Sequence, residues 1–97
     1  MEKILPGKSL IVESASTPIE NIQRWIIDNT KNGLTVLRVF NDKSMVFTGE
    51  QGNFNVIAFG QNSNELTFLV INHWNAHAWI ASTIDGESAW TWNSITK

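Results

Sequence analysis

The chain has 97 residues, 42% of them apolar, with a formal net charge of −2 and no cysteine. The length suits one compact soluble domain with a single core, and zero cysteines exclude a disulfide scaffold and every thiolate metal site. The near-neutral balance argues against binding to nucleic acid or an anionic membrane, since both need clustered Lys and Arg. A protein this short buries about 60–65% of its unfolded surface, and five tryptophans and five phenylalanines supply the bulk for that. Charge is unevenly spread: residues 1–50 carry twelve charged side chains, and residues 51–97 only Glu65, Asp85, Glu87 and Lys97.

The opening Met1–Gly7 lacks the basic stretch and apolar run of a signal peptide. The longest apolar run, Phe68–Ile71, is far short of a membrane span, so the cytoplasm is the expected location. Residues 8–13, β-branched and apolar after Pro6-Gly7, read as a short strand. A helix follows, with Thr17 as N-cap, Pro18 at the first position and Glu20 completing a capping box. Ile19, Ile22 and Ile26 recur at helical spacing, Trp25 and Ile27 widen the apolar stripe, and Asn32-Gly33 is a natural stop.

From residue 34 the period switches to two. Leu34–Phe40, Ser44–Gly49, Asn53–Phe59, Glu65–Asn72, His77–Ile84 and Glu87–Asn93 are six strand candidates separated by connections of hairpin length. They predict an antiparallel meander. A two-residue turn at Asp85-Gly86 pairs Ala81 with Trp90 and Trp79 with Trp92. A three-residue turn at Trp74-Asn75-Ala76 pairs His73 with His77, Ile71 with Trp79 and Leu69 with Ala81. These registers collect Met45, Phe47, Phe54, Val56, Leu69, Ile71, Trp79, Ala81, Trp90 and Trp92 on a core face under the helix. Val46, Thr48, Asn55, Ile57, Phe59, Leu66, Phe68, Val70, Ile80, Ser82, Ala89 and Thr91 fall on the other. Both faces are too apolar for one to lie fully in water, so the sheet either curls toward a half-barrel or meets a partner. The fold class is therefore α+β: one helix on a curved antiparallel meander of about six strands, with a short additional N-terminal strand.

His73 and His77 flank one loop, and pairing across it puts their side chains about 5 Å apart at Cβ. That spacing suits a two-histidine metal or acid–base pair, yet zinc sites usually take three or four protein ligands, and half-exposed turn residues explain the pair as well. No Gly-x-Ser-x-Gly elbow and no phosphate loop opening a helix is present, and no carboxylate pair stands out. These absences favour a non-enzymatic protein with no cofactor and no metal. Trp79, Trp90 and Trp92 are accounted for by the core; Trp74, at a loop tip, is not. Interface centres are depleted in Lys, Glu and Asp and enriched in aromatics, which matches the second half of the sequence.

The expected function is a small binding protein acting through a protein–protein interface, of the kind that serves as an inhibitor, immunity protein or phage-type blocker of a host system. Its partner is expected to be a larger enzyme or toxin, and Asn72, His73, Trp74, Asn75 and His77 are the expected contact residues. Homodimerisation through the exposed sheet face or an open edge is a linked expectation. The alternative is a carbohydrate or small polar ligand module using the tryptophan-rich end of the sheet, where Trp rings stack on sugar faces.

Overall fold

A computed structural model describes residues 8–30, 33–60, 65–83 and 90–95. One helix, α1 (Ile19–Asn29), lies between β1 (Ser9–Ile11) and β2 (Gly33–Asn41), and β3 (Gly52–Gly60), β4 (Leu66–Asn72), β5 (Ala78–Thr83) and β6 (Thr91–Ser94) follow. The strands form one mixed sheet in sequence order. β2 to β6 are antiparallel to their neighbours, while β1 runs parallel to β2 at the edge. That parallel pair follows from the helix between them, which returns the backbone to the starting end of the sheet. The α+β expectation of a helix on a mostly antiparallel sheet is met.

Helix α1 turns Ile22 and Ile26, both fully buried, onto the sheet. Its start differs from the capping box: Pro18 is the N-cap, and no side-chain hydrogen bond caps the helix. Its end comes before Asn32-Gly33. Thr30 Oγ1 donates to the Ile26 carbonyl at 2.7 Å and Asn29 Nδ2 to the Trp25 carbonyl at 2.8 Å, so polar side chains satisfy the last turn in place of a glycine. Gly33, at φ +88°, opens β2 instead.

The core is the sheet face under the helix. Leu37 and Val39 of β2, Phe54, Val56 and Ala58 of β3, Leu66, Phe68 and Val70 of β4, and Ala81 of β5 are buried there with Val12 and Phe47. Aromatic rings close the β6 end. Trp90 stacks on Phe68 with centroids 4.1 Å apart, and Phe47 meets Phe54 and Trp92 edge-on at 5.3 and 5.4 Å. The inward placement of Trp79, Trp90 and Trp92 agrees with the sequence reading.

Three expectations are corrected. Ser44–Gly49 is not a strand: residues 42–51 form the β2–β3 connection and include a helical turn in which the Gly49 amide donates to the Met45 carbonyl. Pairing of Asn41 with Gly52 closes this segment into a loop, and the Ser44 hydroxyl within 3.0 Å of Asn41 Oδ1 tightens it. Phe47 still reaches the core, but Met45 is 60% exposed and Val46 packs against the core rather than lying on the other face. Second, β4 is inverted. Val70 pairs with Trp79 and Phe68 with Ala81, so Phe68, Val70 and Leu66 face inward while Leu69 and Ile71 face out. One residue of register moves every side chain to the opposite face. Third, Ala81 pairs with Trp92 and Trp79 with Ser94, a shift of two that keeps the tryptophans inside. The Asp85-Gly86 turn, Ile84, Glu87 and Ala89 lie outside the described residues.

This register is open to direct test. Phe68→Ala is expected to cost about 3–5 kcal/mol, as for a fully buried aromatic, whereas Leu69→Ala costs about 1 kcal/mol or less. Denaturant unfolding of both variants measures this, and the opposite ranking would refute the inward orientation of Phe68.

Candidate functional site

The β4–β5 hairpin carries all five residues expected at the site, and its geometry divides them. The turn spans residues 73–76, one longer than expected, because two asparagines cap it from within. Asn72 Oδ1 accepts from the Trp74 amide at 3.1 Å and Asn75 Oδ1 from the His77 amide at 3.0 Å. The Ala76 amide donates to the Asn72 carbonyl, and Ala76 adopts φ 61°. Such asparagine-closed turns let a short side chain stand in for main-chain partners.

Three of the five converge on Glu50, which sits in the β2–β3 connection. Asn72 Nδ2 and Asn75 Nδ2 each donate to Glu50 Oε1 at 3.0 Å, and His77 Nδ1 lies 2.5 Å from Oε2. Asn72 is fully buried and also donates to the Gln51 carbonyl at 3.1 Å. A Cβ on Gly52 would collide with the Asn72 side-chain amide, so only glycine leaves room for it. An ionised carboxylate only accepts, so His77 Nδ1 carries the hydrogen and Nε2 is the second ring nitrogen. The Asn75 amide, first, holds the Glu50 carboxyl below its ordinary value; partial burial opposes this, and Asn72 and His77 add to it.

His73 goes elsewhere. It lines a cavity of about 190 Å³ with Arg38, Phe40, Asn53, Phe54 and Asn55, on the sheet face away from the helix, and its amide donates to the Asn53 carbonyl at 2.7 Å. The expected pairing of the two histidines on one side is therefore overturned, because the longer turn pairs Asn72, not His73, with His77. Among the described residues no three His, Asp or Glu side chains gather where a metal could be held. Trp74 stands 56% exposed at the tip.

A second cavity, of about 200 Å³, is lined by Val46, Phe47, Thr48, Gly49, Trp79 and Trp92. The His77 ring meets Trp79 edge-on at 6.3 Å, which places the Glu50–His77 pair beside this cavity. Sequence reading did not single out Glu50, which lies 27 residues from His77, and no spacing rule links them.

The sheet face away from the helix is uncovered among the described residues. Val36, Ile57, Leu69 and Ile80 form one continuous cross-strand row. Leu34 (63% exposed), Ile80 (45%) and Phe59 (46%) are its most open members and neighbours. Arg38 is the one charged strand residue on this face among those described.

No helix among the described residues is long and apolar enough to cross a membrane. Comparison with protein-family models, with curated proteins and with solved structures finds no match for the protein.

The lowered Glu50 pKa sets a direction for pH dependence. Its folded value lies below the unfolded one, so its stabilisation is present above the ordinary glutamate range and is lost as pH falls through the folded value. Glu50→Gln is expected to flatten the acid limb of a stability–pH curve and to speed hydrogen exchange at the Ala76 and His77 amides. An unchanged acid limb with unchanged exchange would show that the carboxylate does not hold the hairpin.

Proposed function

We propose that the protein is a small non-enzymatic binding module that docks onto another protein through the sheet face opposite its helix. The observation that carries this reading is the row Val36–Ile57–Leu69–Ile80, apolar from β2 to β5, half-buried until it opens at Ile80, with no element packed over it among the described residues. Exposed apolar patches of this extent mark interaction sites in monomeric domains. Six strands at about 3.3 Å per residue and about 4.8 Å apart present on the order of 600 Å² of flat sheet. Side-chain relief raises the accessible area toward the ~800 Å² per partner of a standard interface. The occupant is a different protein whose contact surface is apolar and carries negative charge opposite Arg38, since an unopposed guanidinium under a dry interface is costly. The Glu50 carboxylate, saturated by two amides and an imidazole, supports a structural rather than a catalytic use of that pair.

The test is affinity capture from the cells of origin, with identification of the partner and reconstitution from purified components. Ile80→Asp is expected to abolish the reconstituted complex while shifting stability by about 1 kcal/mol or less, as for an exposed site. Asp28→Ala, on the outer side of the helix, is expected to leave it intact. A complex that survives Ile80→Asp overturns the reading. So does light scattering that shows a dimer dissociated by Ile80→Asp, because the face is then taken by a second copy.

A second reading rests on the cavity between Trp79 and Trp92, which is large enough for one sugar ring. Binding of a small polar ligand there predicts a saturable change in tryptophan fluorescence across a glycan panel, removed by Trp92→Ala; a flat response ends it.

A further inference from the structure

The cavity beside His73 is a place on the outer face where charged and amide side chains gather around a hollow. The sheet register builds it. Arg38 and Asn55 are cross-strand partners, as are Phe40 and Asn53, and His73 continues the row of Phe40 and Asn53 beyond the end of β4, tied there by its amide to the Asn53 carbonyl. Five residues of this face thus border a space of about 190 Å³, together with Phe54, which is buried in the core. Among the described residues, the side chains of Arg38, Asn53, Asn55 and His73 have no hydrogen-bond or ion-pair partner. Polar groups elsewhere at this end of the sheet behave differently: Asn72, Asn75 and His77 are committed to Glu50. Four polar side chains around one hollow, uncommitted among the described residues and beside the apolar row of the same face, are arranged for something outside the molecule.

The chemistry of the four selects the ligand. A guanidinium offers a planar fork that matches a carboxylate in two parallel hydrogen bonds. Each asparagine amide offers a donor and an acceptor together, the complement of a peptide N–H and C=O. Phe40 supplies an apolar wall. A bare carboxylate engages the guanidinium and leaves the two amides unused, whereas the carboxyl terminus of a polypeptide carries a carboxylate, an adjoining peptide group and a side chain in one unit. The volume accommodates about one residue. We propose that this hollow is a socket for the C-terminal residue of the docked protein, with Arg38 and His73 at the carboxylate, Asn53 and Asn55 at the adjoining peptide group, and Phe40 against the terminal side chain. The proposal rests on the docking face described above and names which part of the partner enters it.

It can fail separately from that reading. Isotope-labelled protein is titrated with N-acetyl-leucine, N-acetyl-leucinamide and acetate while the Arg38 Nε–H and the Asn53 and Asn55 side-chain amides are followed by NMR. N-acetyl-leucine is expected to give saturable shifts at all three, with the amide binding about tenfold more weakly, the loss of one charge-assisted contact. Arg38→Gln, at an exposed position, is expected to abolish the shifts without unfolding, and Ile80→Asp to leave them unchanged. Equal binding of acid and amide overturns the proposal, as does saturation by acetate as tight as by N-acetyl-leucine, which assigns the socket to a bare carboxylate. Retained binding in Arg38→Gln overturns it too. None of these results touches the Ile80→Asp test of the docking face.

Discussion

The side chain of Asn72 is the constraint on which the rest of this structure depends. Fully buried at the end of β4, it fills the space that a side chain at Gly52 would need, donates to Glu50 and to the Gln51 carbonyl, and accepts from the Trp74 amide. It therefore ties the β2–β3 connection to the β4–β5 hairpin. A buried amide left without partners costs roughly 1–3 kcal/mol, so the arrangement persists only with its partners in place. By closing the turn at residues 73–76, it sets the pairing of Asn72 with His77 and hence the register of β4 on β5.

That register decides which apolar residues make the core and which make the surface. β4 is apolar at nearly every position, Leu66, Phe68, Leu69, Val70 and Ile71, so either parity fills an interior. With Asn72 inward, Phe68 and Val70 enter the core, where Phe68 stacks on Trp90. Leu69 and Ile71 are then committed to the outer face, where Leu69 joins Ile57 and Ile80 in one apolar row. The make-up of the outer face is thus a by-product of the same amide that locks the hairpin, and core packing and surface composition are linked through one turn.

The Glu50–His77 pair has the layout of an oriented imidazole, a carboxylate on Nδ1 with Nε2 opposite. Its carboxylate is held by three side chains of the hairpin. Both carboxylate oxygens are engaged, one by two asparagine amides and the other by the histidine, and the result is a clamp between two loops. Arg38, His73, Asn53 and Asn55 present the contrast: strand register and the His73 amide bond to Asn53 place them, and among the described residues their side chains have no partner.

Several features were legible in the residues themselves. The helix follows from Ile19, Ile22 and Ile26, the meander from period-two runs, and the inward tryptophans from a short protein's need for bulk, since all of these depend on local periodicity and composition. The local signal failed where two periodicities compete or where parity alone decides. Ser44–Gly49 alternates like a strand, yet Asn41 pairing with Gly52 closes it into a loop, a long-range event that no window of six residues contains. The faces of β4 depended on whether the following turn held three residues or four, and Asn72 and Asn75 settled that by bonding to the turn from within and to Glu50 from more than twenty residues away. By itself, then, the sequence determined the α+β class, the helix and the hairpin that carries Asn72–His77. The tertiary structure alone decided that His73 and His77 part company, that Glu50 joins the hairpin and that Leu69 faces outward, because each of these is a contact between segments far apart in sequence.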